Sequence, residues 1–162
     1  MSTGQTVWYL EMTSPDQLRP ATRPAPAHTL RRVAPSAELS RFFYHEVGRD
    51  WRWTDRAAWS DDDWRAWVAR PGYELWIGEV GGARAGYGEL DAVDGEVELA
   101  YFGLLPAFTH QGLGGALLTA LVRRAWAVPA RRVWVHTCTD DDPVALPNYL
   151  ARGFALYRTE EP

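Results

Sequence analysis

The apolar and polar positions of this chain follow two periods. From Tyr73 they alternate with strand spacing through three consecutive runs, "YELWIGEV", "ARAGYGEL" and "EVELAYFGLL", joined by "GG" and by "DAVDG". Glycine-containing turns of this kind join antiparallel neighbours, so the runs predict a three-stranded meander. Upstream, Leu39, Phe42 and Phe43 recur at helical spacing between Ser36 and Val47 and predict a helix that Gly48 interrupts. Ser60 is a good N-cap, and Asp61, Asp62 and Asp63 follow it over the positive end of the dipole, which predicts a second helix in "DDDWRAWVAR". The intervening "RDWRWTDRAAW" is expected to be irregular or a short helix. Two short strands are predicted near the N-terminus, "TVWYLEM" and "TLRRVA", separated by the proline-rich "RPATRPAPAH", which is expected to run extended. After the meander come a helix ended by Pro129, a buried strand "RRVWVHTC", a polar turn "TDDDP", a shorter helical segment and a last strand "FALYRTEE". No internal repeat is visible.

Composition narrows the function classes. At 162 residues, 46% hydrophobic and 23% charged, the chain reads as one ordinary globular domain. No apolar run approaches the roughly 18 residues of a membrane helix, and the first residues lack the features of a secretory leader, so no membrane association and a cytoplasmic location are expected. The lone Cys138 cannot form an internal disulfide. A net charge of −4 argues against a nucleic-acid partner. Nine tryptophans are many for this length, and five of them, Trp51, Trp53, Trp59, Trp64 and Trp67, fall close together. Most are expected to pack onto the core, with one or two lining an acceptor pocket.

The stretch "FTHQGLGGALL" raises the question of a phosphate site. A helix start presents unpaired N–H groups and a positive dipole end, and Gly112, Gly114 and Gly115 let a ligand approach the backbone closely. Alone, such a stretch is equally a tight strand-to-helix turn. It follows an antiparallel meander rather than an N-terminal strand-helix-strand unit, and no Lys-Ser or Lys-Thr pair follows it, which disfavours dinucleotide binding and P-loop hydrolysis.

In these residues the sequence resembles the GCN5-related N-acetyltransferases. Thr109-His110-Gln111-Gly112-Leu113-Gly114 falls on the superfamily's Gln/Arg-x-x-Gly-x-Gly/Ala phosphate motif, and "NYLARGF" is similar to its Tyr-x-x-x-Gly-Phe landmark, with Tyr149 on the last helix. The resemblance covers about residues 29 to 160. It implies an α+β (α/β) fold with a central mixed, largely antiparallel sheet of six to seven strands and about four helices. Residues 1–28 are then an N-terminal strand and connector, and 29–162 the acetyltransferase domain. It also implies acetyl-CoA as acyl donor, without a metal. Two departures stand out: Thr109 replaces the opening Gln or Arg, and Gln111 stands where a basic residue is common. Phosphate binding is therefore expected to lean on backbone amides of His110, Gly112, Gly114 and Gly115, with lower affinity or another acyl-CoA preferred. Asp142 stands where members carry Asn at the pantetheine arm, and it is also suited to N-cap a helix ahead of Pro143, in which Pro147 is awkward.

Acetyl transfer to an amine needs a proton path and something to protonate the leaving thiolate. By the resemblance, Glu98 is the general base, Tyr149 meets the departing sulfur, and the N–H groups of Phe102 and Leu104 face the pantetheine and acetyl carbonyl. His136 is the second candidate base. Trp51 and Trp53, with Arg52 and Asp55 nearby, are expected at the acceptor, and Glu89 to recognise a cationic amine. The expected activity is N-acetylation of a primary amine on a small molecule through a ternary complex. A non-catalytic acyl-CoA module and a protein-lysine or N-terminal acetyltransferase remain open alternatives. The N-terminal and last strands are expected to pair between subunits of a homodimer.

Overall fold

The structure, a computed structural model, describes residues 4–162. Seven strands form one sheet: β1 (Val7–Met12), β2 (Thr29–Val33), β3 (Tyr73–Val80), β4 (Ala83–Val93), β5 (Glu96–Leu104), β6 (Arg132–Cys138) and β7 (Ala155–Glu160). Their order is β2-β3-β4-β5-β6-β1-β7, antiparallel throughout except between β5 and β6. Four α-helices flank it: α1 (Ala37–Gly48), α2 (Asp61–Val68), α3 (Leu113–Ala127) and α4 (Ala145–Ala151). The expected fold class and the meander are present. None of these helices is long and apolar enough to cross a membrane.

The N-terminal strand differs from expectation. β1 lies inside the sheet, paired with β6 on one side and β7 on the other, so the boundary drawn at residue 28 does not separate two bodies. Both of its hydrogen-bonding edges are taken within the chain, which leaves none for pairing β1 with a second subunit. Its alternation explains the placement, because Leu10 and Met12 turn one face fully into the core.

Local chemistry fixes the helices. Ser36 Oγ accepts from Leu39 N–H at 3.1 Å, and Ser60 with Asp63 completes a reciprocal capping box, each side chain accepting from the other's backbone N–H. α3 lays Leu117, Leu118, Leu121, Val122 and Ala125 onto the sheet, all essentially inaccessible. It can approach closely because a Cβ on Gly78 would lie 2.6 Å from Leu117 and one on Gly88 2.2 Å from Leu121. On the other side, Phe43 and Val47 of α1 and Val68 of α2 cover Leu75, Ile77 and Tyr87. α4 starts at Ala145, late enough that Pro147 falls in its first turn, where a missing N–H costs nothing. Asp142 does not N-cap that helix. Val144 holds the position, and Asp142 Oδ1 accepts from Val144 N–H at 2.9 Å in the turn before it.

A cleft arises where β5 and β6 part. Their parallel pairing covers only Glu96–Glu98 against Arg132–Trp134, after which β5 runs on to Leu104 and β6 to Cys138. The β4–β5 register shifts opposite Glu89 and Leu90, leaving Ala100 as an extra residue that bends β5 where it leaves β6.

The turn between α4 and β7 locks the N-terminal segment in place. Gly153 has φ +101°, and a Cβ there would lie 1.9 Å from the Gln17 carbonyl oxygen, whereas Gly81, with φ +58°, faces open space. Gly153→Ala is expected to lower the stability measured by urea unfolding by more than about 1 kcal/mol. Gly81→Ala should cost less, since it carries the same kind of backbone strain without the clash.

Candidate functional site

The cleft has two compartments. The larger, of about 440 Å³, runs between the phosphate loop and α4 and is lined by Phe102, Gly103, Leu104, Thr109, His110, Gly112, Gly114 and Gly115, with Asp142, Asn148, Tyr149 and Arg152 opposite. The smaller, of about 50 Å³, lies between the parted strands and the α1–α2 loop, against Arg52, Asp55, Tyr101, His136, Thr137 and Cys138. The two meet at Trp53, Phe102, Asp141 and Tyr149, which line both.

The start of α3 has the chemistry of an anion site. Gly112, its N-cap at φ +81°, has no side chain to cap the first turn, in contrast to Ser36 and Ser60 on α1 and α2. The first-turn amides therefore remain available to a ligand. His110 holds φ +64°, a left-handed conformation a non-glycine residue rarely adopts, which bends the loop. Two residues of the motif do not line the cleft: Gln111 turns its side-chain amide to Ala107 O at 3.3 Å, and Leu113 is wholly buried beneath α3. Along β5, Leu105 N–H donates to Ala85 O at 2.8 Å. By alternation the N–H groups of Leu104 and Phe102 turn the other way, toward the side β6 has vacated.

His136, rather than Glu98, faces the small compartment. Its Nδ1 lies 3.6 Å from Glu98 Oε2, and Glu98 lines neither compartment. Glu98 is thus behind the imidazole, with the rings of Tyr9 and Trp134 beside it at 5.6 and 6.1 Å. The Glu98 carboxylate raises the His136 pKa against the opposing effect of burial, and Asp55 and Asp141 add to the rise. Tyr149 is pushed up by burial and by Asp141 and Asp142, so its hydroxyl stays protonated. Burial likewise raises the Cys138 thiol, which keeps it out of the nucleophilic thiolate form. Asp141 holds the junction together by accepting from Trp53 Nε1 at 2.9 Å and Thr137 Oγ1 at 2.7 Å. Arg52 N–H donates across the same gap to Asp140 O at 2.8 Å.

The model of the acetyltransferase (GNAT) family matches residues 40–154. The chain belongs to this family. A mycothiol acetyltransferase of Stackebrandtia nassauensis is 36% identical over 80 residues, which is 48% of this chain and 25% of that protein. A GCN5-related N-acetyltransferase from Kribbella flavida superposes with TM-score 0.64 at 24% identity over 96% of this chain and 58% of its own. An aminoglycoside N-acetyltransferase in complex with CoA superposes with TM-score 0.57 at 18% identity, over 87% and 94%. At these identities the two structures are similar in fold. This GNAT chain spans a quarter of the curated relative and under two thirds of the Kribbella protein.

Within the GNAT framework, Glu89 has an internal partner rather than a substrate. It is fully buried and accepts from Ser40 Oγ at 2.6 Å, Arg56 at 3.1 Å, Trp67 Nε1 at 2.9 Å and the Tyr73 hydroxyl. Three of these donors reach Oε2 and Arg56 reaches Oε1, and the carboxylate lines neither compartment. Arg56, 5% exposed, has the rings of Trp59, Trp67 and Tyr101 within 4.6, 4.5 and 4.2 Å. Trp59, Trp64 and Trp67 thus enclose an internal cation, while Trp51 and Trp53 line the cleft. Asp55, beside Arg56 in the chain, accepts from the Tyr101 hydroxyl at 3.1 Å, so the buried pair anchors the loop that walls the small compartment.

Sequence reasoning missed Asp141, Arg152 and the connector residues Ala21, Thr22 and Arg23, all of which line the larger compartment. The acidic run of "TDDDP" was a signal for the first. Nothing local marked the connector.

Two outcomes follow from these geometries. Glu89→Gln leaves the Arg56 charge buried and uncompensated and should cost about 3–5 kcal/mol in urea unfolding. Glu98→Gln should lower the His136 pKa, read from imidazole resonances. The folded pKa is raised above the unfolded value near 6.5. The stabilisation from the charged pair is therefore complete below that value and lost as pH rises through the folded pKa, and Glu98→Gln should weaken this pH dependence.

Proposed function

We propose that this chain transfers an acetyl group from acetyl-CoA to a primary amine of a small molecule, with both bound together in the cleft. The observation that carries the reading is the junction at Trp53, Phe102, Asp141 and Tyr149, where a long compartment ending at an uncapped helix start meets a small one containing His136. The uncapped start of α3 in the larger compartment fits a nucleotide-bearing thioester, and Asp55 and Asp141 on the smaller fit a cationic amine. The name of the mycothiol acetyltransferase and the CoA held by the aminoglycoside N-acetyltransferase agree with this reading. The confined second compartment favours a small acceptor over a protein chain.

Acetyl-CoA supplies an activated acyl group, and the chain's residues manage protons and position. An amine reaches the site protonated at neutral pH and attacks only when neutral. His136 in its neutral form takes that proton, and Glu98 stabilises the imidazolium that results. The N–H groups of Phe102 and Leu104 donate along the cleft edge of β5, where they orient the donor and offset charge on its carbonyl oxygen. When the adduct collapses, its nitrogen loses the second proton and the departing thiolate gains one, and Tyr149, kept protonated by burial, steadies that thiolate at the junction by donating a hydrogen bond.

Titration with acetyl-CoA, followed by a panel of small amines with release of free thiol as the readout, tests the proposal. Tyr149→Phe should lose about 10²-fold in kcat with the dissociation constant for acetyl-CoA unchanged. The rate of the wild type should rise with pH through the elevated His136 pKa. Equal turnover by Tyr149→Phe would overturn the role given to that residue, and failure of the wild type to bind acetyl-CoA would overturn the function.

A further inference from the structure

The connector between β1 and β2 passes over the phosphate loop and is bonded to it. Arg19 N–H donates to Arg152 O at 2.8 Å, and Ala21 N–H to Thr119 Oγ1 of α3 at 3.0 Å. A Cβ on Gly112 would lie 2.4 Å from the Pro24 carbonyl oxygen. This path puts the stem of Arg23 against Gly112, with its guanidinium donating to His110 O at 3.3 Å. From the other side Arg152, the C-cap of α4, reaches over the same turn, its guanidinium 2.7 Å from where a Cβ on Gly115 would be. Two cations, from opposite ends of the sequence, thus flank the first turn of α3, and both line the larger compartment.

Neither has an acid to neutralise it. Among the described residues the ion pairs engage other arginines and His136, and neither Arg23 nor Arg152 belongs to one. Arg152 Nε is also a buried donor with no acceptor. Nε is shielded from solvent, so what an anion entering the compartment offsets is the charge of the guanidinium as a whole. The carboxylates of the compartment are at its far end, where Asp141 is held by Trp53 and Thr137 and Asp142 by Val144 N–H. The compartment is therefore polar in the electrical sense, cationic at the α3 start and acidic at the junction.

We propose that Arg23 and Arg152 bind the pyrophosphate of the donor, replacing the basic side chain that Thr109 and Gln111 do not provide, and that the N-terminal connector is a working wall of the donor site. The inference rests on acetyl-CoA being the donor. It changes the expectation drawn from the motif: affinity does not fall because the loop lacks a cation, since the cations come from elsewhere in the chain. Guanidinium forks match phosphate oxygens in pairs, and with the α3 amides they enclose the anion on three sides.

Calorimetric titration of Arg23→Gln, Arg152→Gln and the double variant with acetyl-CoA and with 3′-dephospho-acetyl-CoA, each at low and raised salt, tests the assignment. Each single variant should weaken binding about tenfold, to the same extent for both ligands, with a shallower salt dependence than the wild type. Arg23 is exposed, so its variant should melt with the wild type and remains informative even where Arg152→Gln does not fold. Unchanged affinity in Arg23→Gln while the wild type binds overturns the inference and leaves the donor reading intact. A loss seen only with the ligand that carries the 3′-phosphate also overturns it, because the arginines would then serve that group. No binding by the wild type overturns both.

Discussion

β5 and β6 are hydrogen-bonded over three residue pairs and then separate, and the cleft is the consequence of that separation. Parallel neighbours normally share a ladder along their whole length, because an unpaired N–H in the middle of a sheet is expensive. Here the ladder is given up beyond Glu98 and Trp134, and the exposed edge of β5 becomes a row of donors facing a ligand channel. The bulge at Ala100 turns the strand at this point, and the helices, glycine loop and aromatic loop around the gap keep it from closing. Glu98 and His136 come within reach of each other because they flank the fork.

The walls of the gap are held by two different kinds of interaction. On the acceptor side an irregular loop is pinned by one guanidinium in a cage of aromatic rings, with Glu89 as its counter-ion. On the donor side an extended connector is pinned by backbone hydrogen bonds to α3 and α4. Neither segment has the internal hydrogen bonding of a helix or strand, so each takes its shape from what it is tied to. Removing the ties would leave the sheet standing and the site without walls.

Much of the fold was legible in sequence because its signals are local. Ser36 and Ser60 announce helix starts, alternation marks the meander, and the glycines after Phe108 mark the strand-to-helix turn. The glycines of the motif line the larger compartment as expected of them, whereas of the two tryptophans expected at the acceptor only Trp53 reaches the smaller compartment and Trp51 lines the larger one. What escaped was long-range. Glu89 reads from its strand as a carboxylate for a cationic amine until Ser40, Arg56, Trp67 and Tyr73, from four other elements, are seen converging on it. His136 and Glu98 are 38 positions apart, and which of them faces the pocket depends on the angle at which two strands diverge, a quantity no residue pattern encodes. The connector, rich in proline, carries the signature of a linker, and only its packing against Gly112 and Gly115 makes it part of the site.

The position of β1 also affects how the chain folds. Residues 7–12 find their partners at 133–138 and 155–160, so nearly the whole polypeptide lies between a strand and its neighbours. During synthesis the first strand leaves the ribosome long before either partner exists, and its core-facing Leu10 and Met12 must wait. The meander and α1 can assemble from near neighbours, but closing loops of this length is slow. β1 is therefore expected to take its place in the sheet only after both of its partner strands are present. Because the connector follows β1 directly, the larger compartment gains its connector wall at the same step.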